Sequence, residues 1–77
     1  MATIERCEVT TVGPRLVYGL DRDSTGTGDR RVCFRRSDDV LVSAGEVVTI
    51  EYGYEQPGRE RLPRMLVDVT VVRILSQ

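Results

Sequence analysis

YGLDRDSTGTGDRRVCFRR, residues 18 to 36, divides into two short alternating runs around a loop of small and polar residues. In the first run Leu16, Tyr18 and Leu20 alternate with Val17, Gly19 and Asp21, the period-two pattern of a half-buried strand. In the second, Val32, Phe34 and Arg36 oppose Arg31, Cys33 and Arg35. The connecting DSTGTGD (Asp23 to Asp29) is a loop by composition. Its GTG is followed by neither the lysine nor the helix that a phosphate-binding P-loop needs, so that reading fails. The stretch therefore reads as strands over 15–22 and 30–36. Each carries one aromatic, and Arg30, Arg31, Arg35 and Arg36 crowd the second. The sequence leaves two registers open for strand 2: one turns Tyr18 outward and Asp21 inward, the other buries Tyr18 with Leu20.

On the N-terminal side, IERCEVTTV (Ile4 to Val12) alternates imperfectly. Cys7, Val9 and Thr11 share a face while Ile4 and Val12 fall on the other, which a β-bulge reconciles. Gly13–Pro14 turns the chain. On the C-terminal side, SDDVLVSA (Ser37 to Ala44) is too short for a full helix and predicts a single turn capped by Ser37 or Asp38. Gly45–Glu46 leads into VVTIEYGYE, where Val48, Ile50, Tyr52 and Tyr54 line one face, with the tyrosines read as core and their hydroxyls at its rim. Gln56 to Arg59 is a turn. Pro63 precedes MLVDVTVVRIL (Met65 to Leu75), a β-branched strand partly covered on both faces. Five strands and no substantial helix predict an all-β fold, a small five-stranded Greek-key barrel of the OB type, with an SH3-like barrel as the alternative.

Composition bounds the function. Seventy-seven residues make one domain, 1–77, with 40% hydrophobic and 30% charged residues. No apolar run reaches the roughly 18 residues of a membrane span. Glu5, Arg6 and Glu8 interrupt the N-terminal stretch, so it lacks a signal-peptide core. These features predict a cytoplasmic protein with no membrane partner. All eleven cations are arginines, there is no histidine, and the net charge is −1. Cys7 and Cys33 form no CxxC pair and read as buried or half-buried thiols, with a disulfide left open only where the fold brings them together. Without a nucleophile, a base or a cofactor loop, the chain reads as a binding module rather than an enzyme, with no cofactor.

Three stretches resemble the cold-shock domain, a minimal OB barrel that binds single-stranded nucleic acid. YGLDRD (18–23) is similar to the family's first nucleic-acid motif and RRVCFRRSD (30–38) to its second. SAGEVVTIEYGYEQPGRERLPRMLVDVTVV (43–72) resembles its closing half, and also the terminal OB domain of ATP-dependent DNA ligases. The likeness departs from the family at Cys33, Arg35 and Arg36, which stand where an aromatic, a histidine and another aromatic are expected. The resemblance implies binding of single-stranded DNA or RNA with little sequence preference, through Tyr18, Arg31, Phe34, Arg35 and Arg36, extended by Arg59 and Arg61. The thinned aromatics and acidic balance leave a second expectation: a protein-interaction adaptor or regulator on the same barrel, of the kind a phage encodes, docking on a larger protein of a nucleic-acid machinery.

Overall fold

The protein is described by a computed structural model over residues 1–23, 30–37, 41–57 and 61–76. Its strands are β1 (Ala2–Val12), β2 (Leu16–Asp21), β3 (Arg31–Arg35), β4 (Val47–Tyr52), β5 (Tyr54–Glu55), β6 (Arg64–Val67) and β7 (Thr70–Ser76). They form one all-β sheet in the order β5-β6-β3-β2-β1-β4-β7, strongly curled into a half-barrel. Neighbours are antiparallel except β3 and β6, which run parallel. No helix occurs among the described residues. The turn expected at Ser37 or Asp38 falls largely on residues 38–40, outside the described ones.

The strand count is seven rather than the expected five because two of the expected runs are broken. The run over 47–55 breaks at Gly53 into β4 and β5, and the run over 65–75 breaks after Val67 into β6 and β7. Asp68 adopts φ 58, a left-handed conformation that a strand cannot propagate and that aspartate tolerates better than most residues. The two breaks lie against each other. The Gly53 N–H donates to the Val67 carbonyl at 2.8 Å, and a Cβ at Gly53 would sit 3.3 Å from the Asp68 side chain. As a result β6 pairs with β3 and β5, while β7 pairs with β4.

Inside the curl, Ile4, Cys7, Val9, Val17, Val32, Phe34, Val48, Ile50 and Leu66 form the core. Burying an aliphatic or aromatic side chain of this kind is worth about 1.5–3 kcal/mol. A chain this short retains only about 3–5 kcal/mol of net stability, so single core positions matter. Gly19 belongs to this inner face for steric reasons: a Cβ there would lie 2.8 Å from the Glu8 carbonyl oxygen and 3.1 Å from Cys7 Sγ.

The bulge expected in β1 is present, and it brings Ile4 to the same side as Cys7 and Val9. Register shifts occur between Ile4 and Cys7 against β4, and between Val9 and Thr11 against β2. A bulge leaves ladder groups without strand partners, and at the first shift those of Glu5 and Arg6 are met. Glu5 and Arg6 N–H both donate to Asp23 Oδ2, at 2.7 and 3.0 Å. The Glu5 carbonyl accepts from Thr49 Oγ1 at 2.8 Å, and the Arg6 carbonyl from the Arg22 N–H at 2.9 Å. Desolvation pushes the Asp23 carboxyl up, but the Arg6 guanidinium and the Arg6 and Glu5 N–H groups outweigh it, and the carboxyl lies below its ordinary value. Cys7 and Cys33 are both buried thiols. Burial, with a contribution from Asp21, pushes Cys7 up to about 11.

Candidate nucleic-acid interface

The structure settles the register of β2. Val17, Gly19 and Asp21 point inward, whereas Tyr18 points outward and is 38% exposed. This arrangement places a carboxylate, 6% exposed, on the inner face of the curled sheet. Such a group is tolerated only when paired and hydrogen-bonded. Arg64 Nη1 lies 3.1 Å from Asp21 Oδ2, and the Asp23 N–H donates to Asp21 Oδ1 at 3.0 Å. Arg64 also places Nε 2.6 Å from Glu55 Oε1, and that hydrogen bond, opposed by burial and helped by Asp21, raises its pKa further. A guanidinium held between two carboxylates makes the inward Asp21 admissible, and with it the outward Tyr18.

Strand parity then fixes the outer wall. Tyr18 stands opposite Cys33, Leu16 opposite Arg35 and Leu20 opposite Arg31. Cys33 is next to Met65 on β6, with Sγ 3.8 Å from Sδ. On the far side of β6, Tyr54 stands opposite Val67. Residues directly opposite on neighbouring strands project from the same face. One convex wall therefore carries Tyr18, Arg31, Arg35, Met65, Val67 and Tyr54. At its end a groove of about 510 Å³ opens between β3 and β5, lined by Arg35, Tyr54, Met65, Val67 and Asp68 among others.

The residues singled out from the sequence separate here. Tyr18, Arg31 and Arg35 lie on the outer wall. Phe34 does not. It is fully buried between Val17 and Leu66 in the ladder, because Val32 and Phe34 share the inward parity of β3, so its ring belongs to the core rather than to a binding face. Arg36 is exposed just past β3, donates from Nη1 to the Gly13 carbonyl at 3.2 Å, and joins its backbone N–H to the Arg15 carbonyl. That contact gathers Arg15, Arg35 and Arg36 at one end of the hairpin. Arg61 is exposed with φ 63 and does not line the groove. Arg59 lies outside the described residues.

Tyr54 is the residue that sequence reasoning misplaced. Alternation from Ile50 through Tyr52 assigned it to the core face, yet it is 57% exposed, while Tyr52 packs against the core. The signal was Gly53, whose break of the run restarts the parity. Acids near the hairpin pair with arginines off this wall: Asp21 with Arg64, Asp23 with Arg6 at 3.1 Å, and Glu8 with Arg22. The Arg35 side chain makes no hydrogen bond or ion pair with any described residue. No protein-family model matches the chain, and no curated protein or solved structure matches it either.

Proposed function

We propose that this chain is an OB-like module binding single-stranded DNA or RNA on the outer wall of β2, β3, β6 and β5. The supporting observation is the shared wall: two exposed rings, Tyr18 and Tyr54, project from the same face as Arg31 and Arg35, and Arg35 and Tyr54 also line the groove at its end. Stacking a base on an aromatic contributes about 1–3 kcal/mol, and an arginine fork suits phosphate oxygens. The OB reading counts β4 with β5 as one strand bent at Gly53 and β6 with β7 as another bent at Asp68. What supports that count is that the last run pairs with β3 through its first half and with β4 through its second. A net charge of −1 is compatible with this site, since four of the acids, Glu8, Asp21, Asp23 and Glu55, already pair with Arg6, Arg22 and Arg64.

Fluorescence polarisation with labelled all-thymine and all-uracil oligonucleotides, at low and at physiological salt, tests the proposal. Binding is expected at low salt, weakening with a log–log slope of about −0.7 per phosphate contact. The Tyr18→Ala variant is expected to lose about 1–3 kcal/mol of binding free energy. Absence of binding at low salt overturns the proposal. A protein-interaction module on the same barrel is the second reading, favoured by β7: it ends the sheet with Val72, Ile74 and Leu75 nearly half exposed. Binding to a partner protein with no affinity for either oligonucleotide is the outcome that selects it.

A further inference from the structure

We propose that the groove between Arg35 and Tyr54 is a base subsite that takes guanine from the bound single strand. This inference rests on the nucleic-acid reading above and adds to it a preference at one position.

The argument is geometric first. β3 and β5 flank β6, so Arg35 and Tyr54 stand two strand spacings apart, roughly 10 Å between backbones. Met65 and Val67 of β6 form the floor between them. This is a trough with an apolar base, an exposed ring on one side and a guanidinium on the other. Asp68 follows Val67 directly and also lines the trough. Its left-handed backbone turns the chain out of the strand at that point, and its side chain lies beside Gly53, next to Tyr54. The site thus presents one cationic fork and one anionic fork around a flat apolar slot.

Base chemistry selects the occupant. Guanine alone offers a two-acceptor edge, O6 and N7, together with a separate two-donor edge, N1–H and the N2 amino group. Arginine is the common bidentate partner of the first. A carboxylate accepts two hydrogen bonds and suits the second. Adenine has no O6, thymine has no amino group, and cytosine carries its donors and acceptors on a single edge. Arg35 has no competing partner among the described residues.

The test compares a labelled all-thymine oligonucleotide with the same oligonucleotide carrying one central guanine, on the full chain at low salt. The guanine oligonucleotide is expected to bind at least about fivefold tighter, the lower end of what one bidentate pair contributes. With inosine, which lacks the N2 amino group, the ratio is expected to fall between the two. In the Asp68→Asn variant the guanine-to-thymine ratio is expected to drop towards one. Asparagine tolerates the left-handed backbone, and circular dichroism checks that the variant is folded. Equal affinity for the two oligonucleotides overturns the guanine subsite and leaves the nucleic-acid reading standing. An unchanged ratio in Asp68→Asn also overturns it. No binding by either oligonucleotide overturns both readings. Displacement of the guanine oligonucleotide by an equal concentration of guanosine monophosphate reassigns the groove to a free nucleotide and overturns its assignment to a strand.

Discussion

Arg64 and Arg35 stand on adjacent strands, β6 and β3, and project from opposite faces of the same sheet. Arg64 is half-buried and bridges Asp21 and Glu55 on the inner face of the curl. Arg35 is exposed beside Leu16 and the groove, and its side chain has no partner among the described residues. The same residue type is structural in one place and available in the other, and strand parity together with the position of the acids makes the difference. The inner mouth is electrostatically complete: among the described residues, no buried side-chain nitrogen or oxygen lacks a hydrogen-bond partner. On the outer wall, by contrast, the Arg35 guanidinium stands without a partner among the described residues.

The sharpest way to break this contrast is Arg64→Met. The substitution keeps the apolar stem and leaves Asp21 buried without its cation. Removing one partner of a buried pair costs about 3–5 kcal/mol. Because the Arg64 side chain is 24% exposed, solvent reduces that to about 2–4 kcal/mol, comparable with the entire stability of a chain this size. Urea denaturation followed by circular dichroism is expected to find Arg64→Met largely unfolded at low denaturant. Adding Asp21→Leu is expected to recover much of the loss, because it removes the stranded charge. A loss below about 1 kcal/mol for Arg64→Met would place Arg64 among ordinary surface ion pairs.

Cys7 sharpens the same contrast through pH. Burial holds the folded thiol at about 11, against an ordinary value of 9. The unfolded thiol therefore ionises first as the pH rises. The stability linked to this group is fully present below pH 9 and lost as pH climbs through 11, about 3 kcal/mol in all. Denaturant midpoints measured across that window are expected to fall more steeply for the native chain than for Cys7→Ala, whose buried methyl does not titrate. Parallel slopes would mean that Cys7 is not shielded as its position implies.

Local patterning carried most of the fold. The strands expected over 15–22 and 30–36 occur as Leu16–Asp21 and Arg31–Arg35, and the misfit of Ile4 with Cys7 located the bulge in β1. What local patterning did not carry were the points settled by distant partners. Whether Tyr18 faces out depended on whether Asp21 was affordable inside, and that depended on Arg64, 43 residues further along the chain. Tyr54 left the core because Gly53 packs against Asp68 across the fold. Both bends split runs whose alternation alone read as continuous. The site was legible in part for the same reason: Tyr18 and Arg35 followed from parity once the register was known, whereas the facing ring and the carboxylate came from the breaks.

The smallest structural effect belongs to the other member of the opening pair. Arg35→Gln removes a charge that pairs with nothing among the described residues, so its denaturation midpoint is expected to stay within about 0.5 kcal/mol of the native chain. The glutamine retains the apolar stem that lies against Leu16, so packing on the wall is preserved and the loss is one of charge. On an all-thymine oligonucleotide, the same variant is expected to bind more weakly and to lower the steepness of the salt dependence by about 0.7, one phosphate's share for single strands. Stability and salt slope together separate three roles of an exposed arginine. A solvated side chain changes neither, a structural one changes the first, and a phosphate-facing one changes only the second.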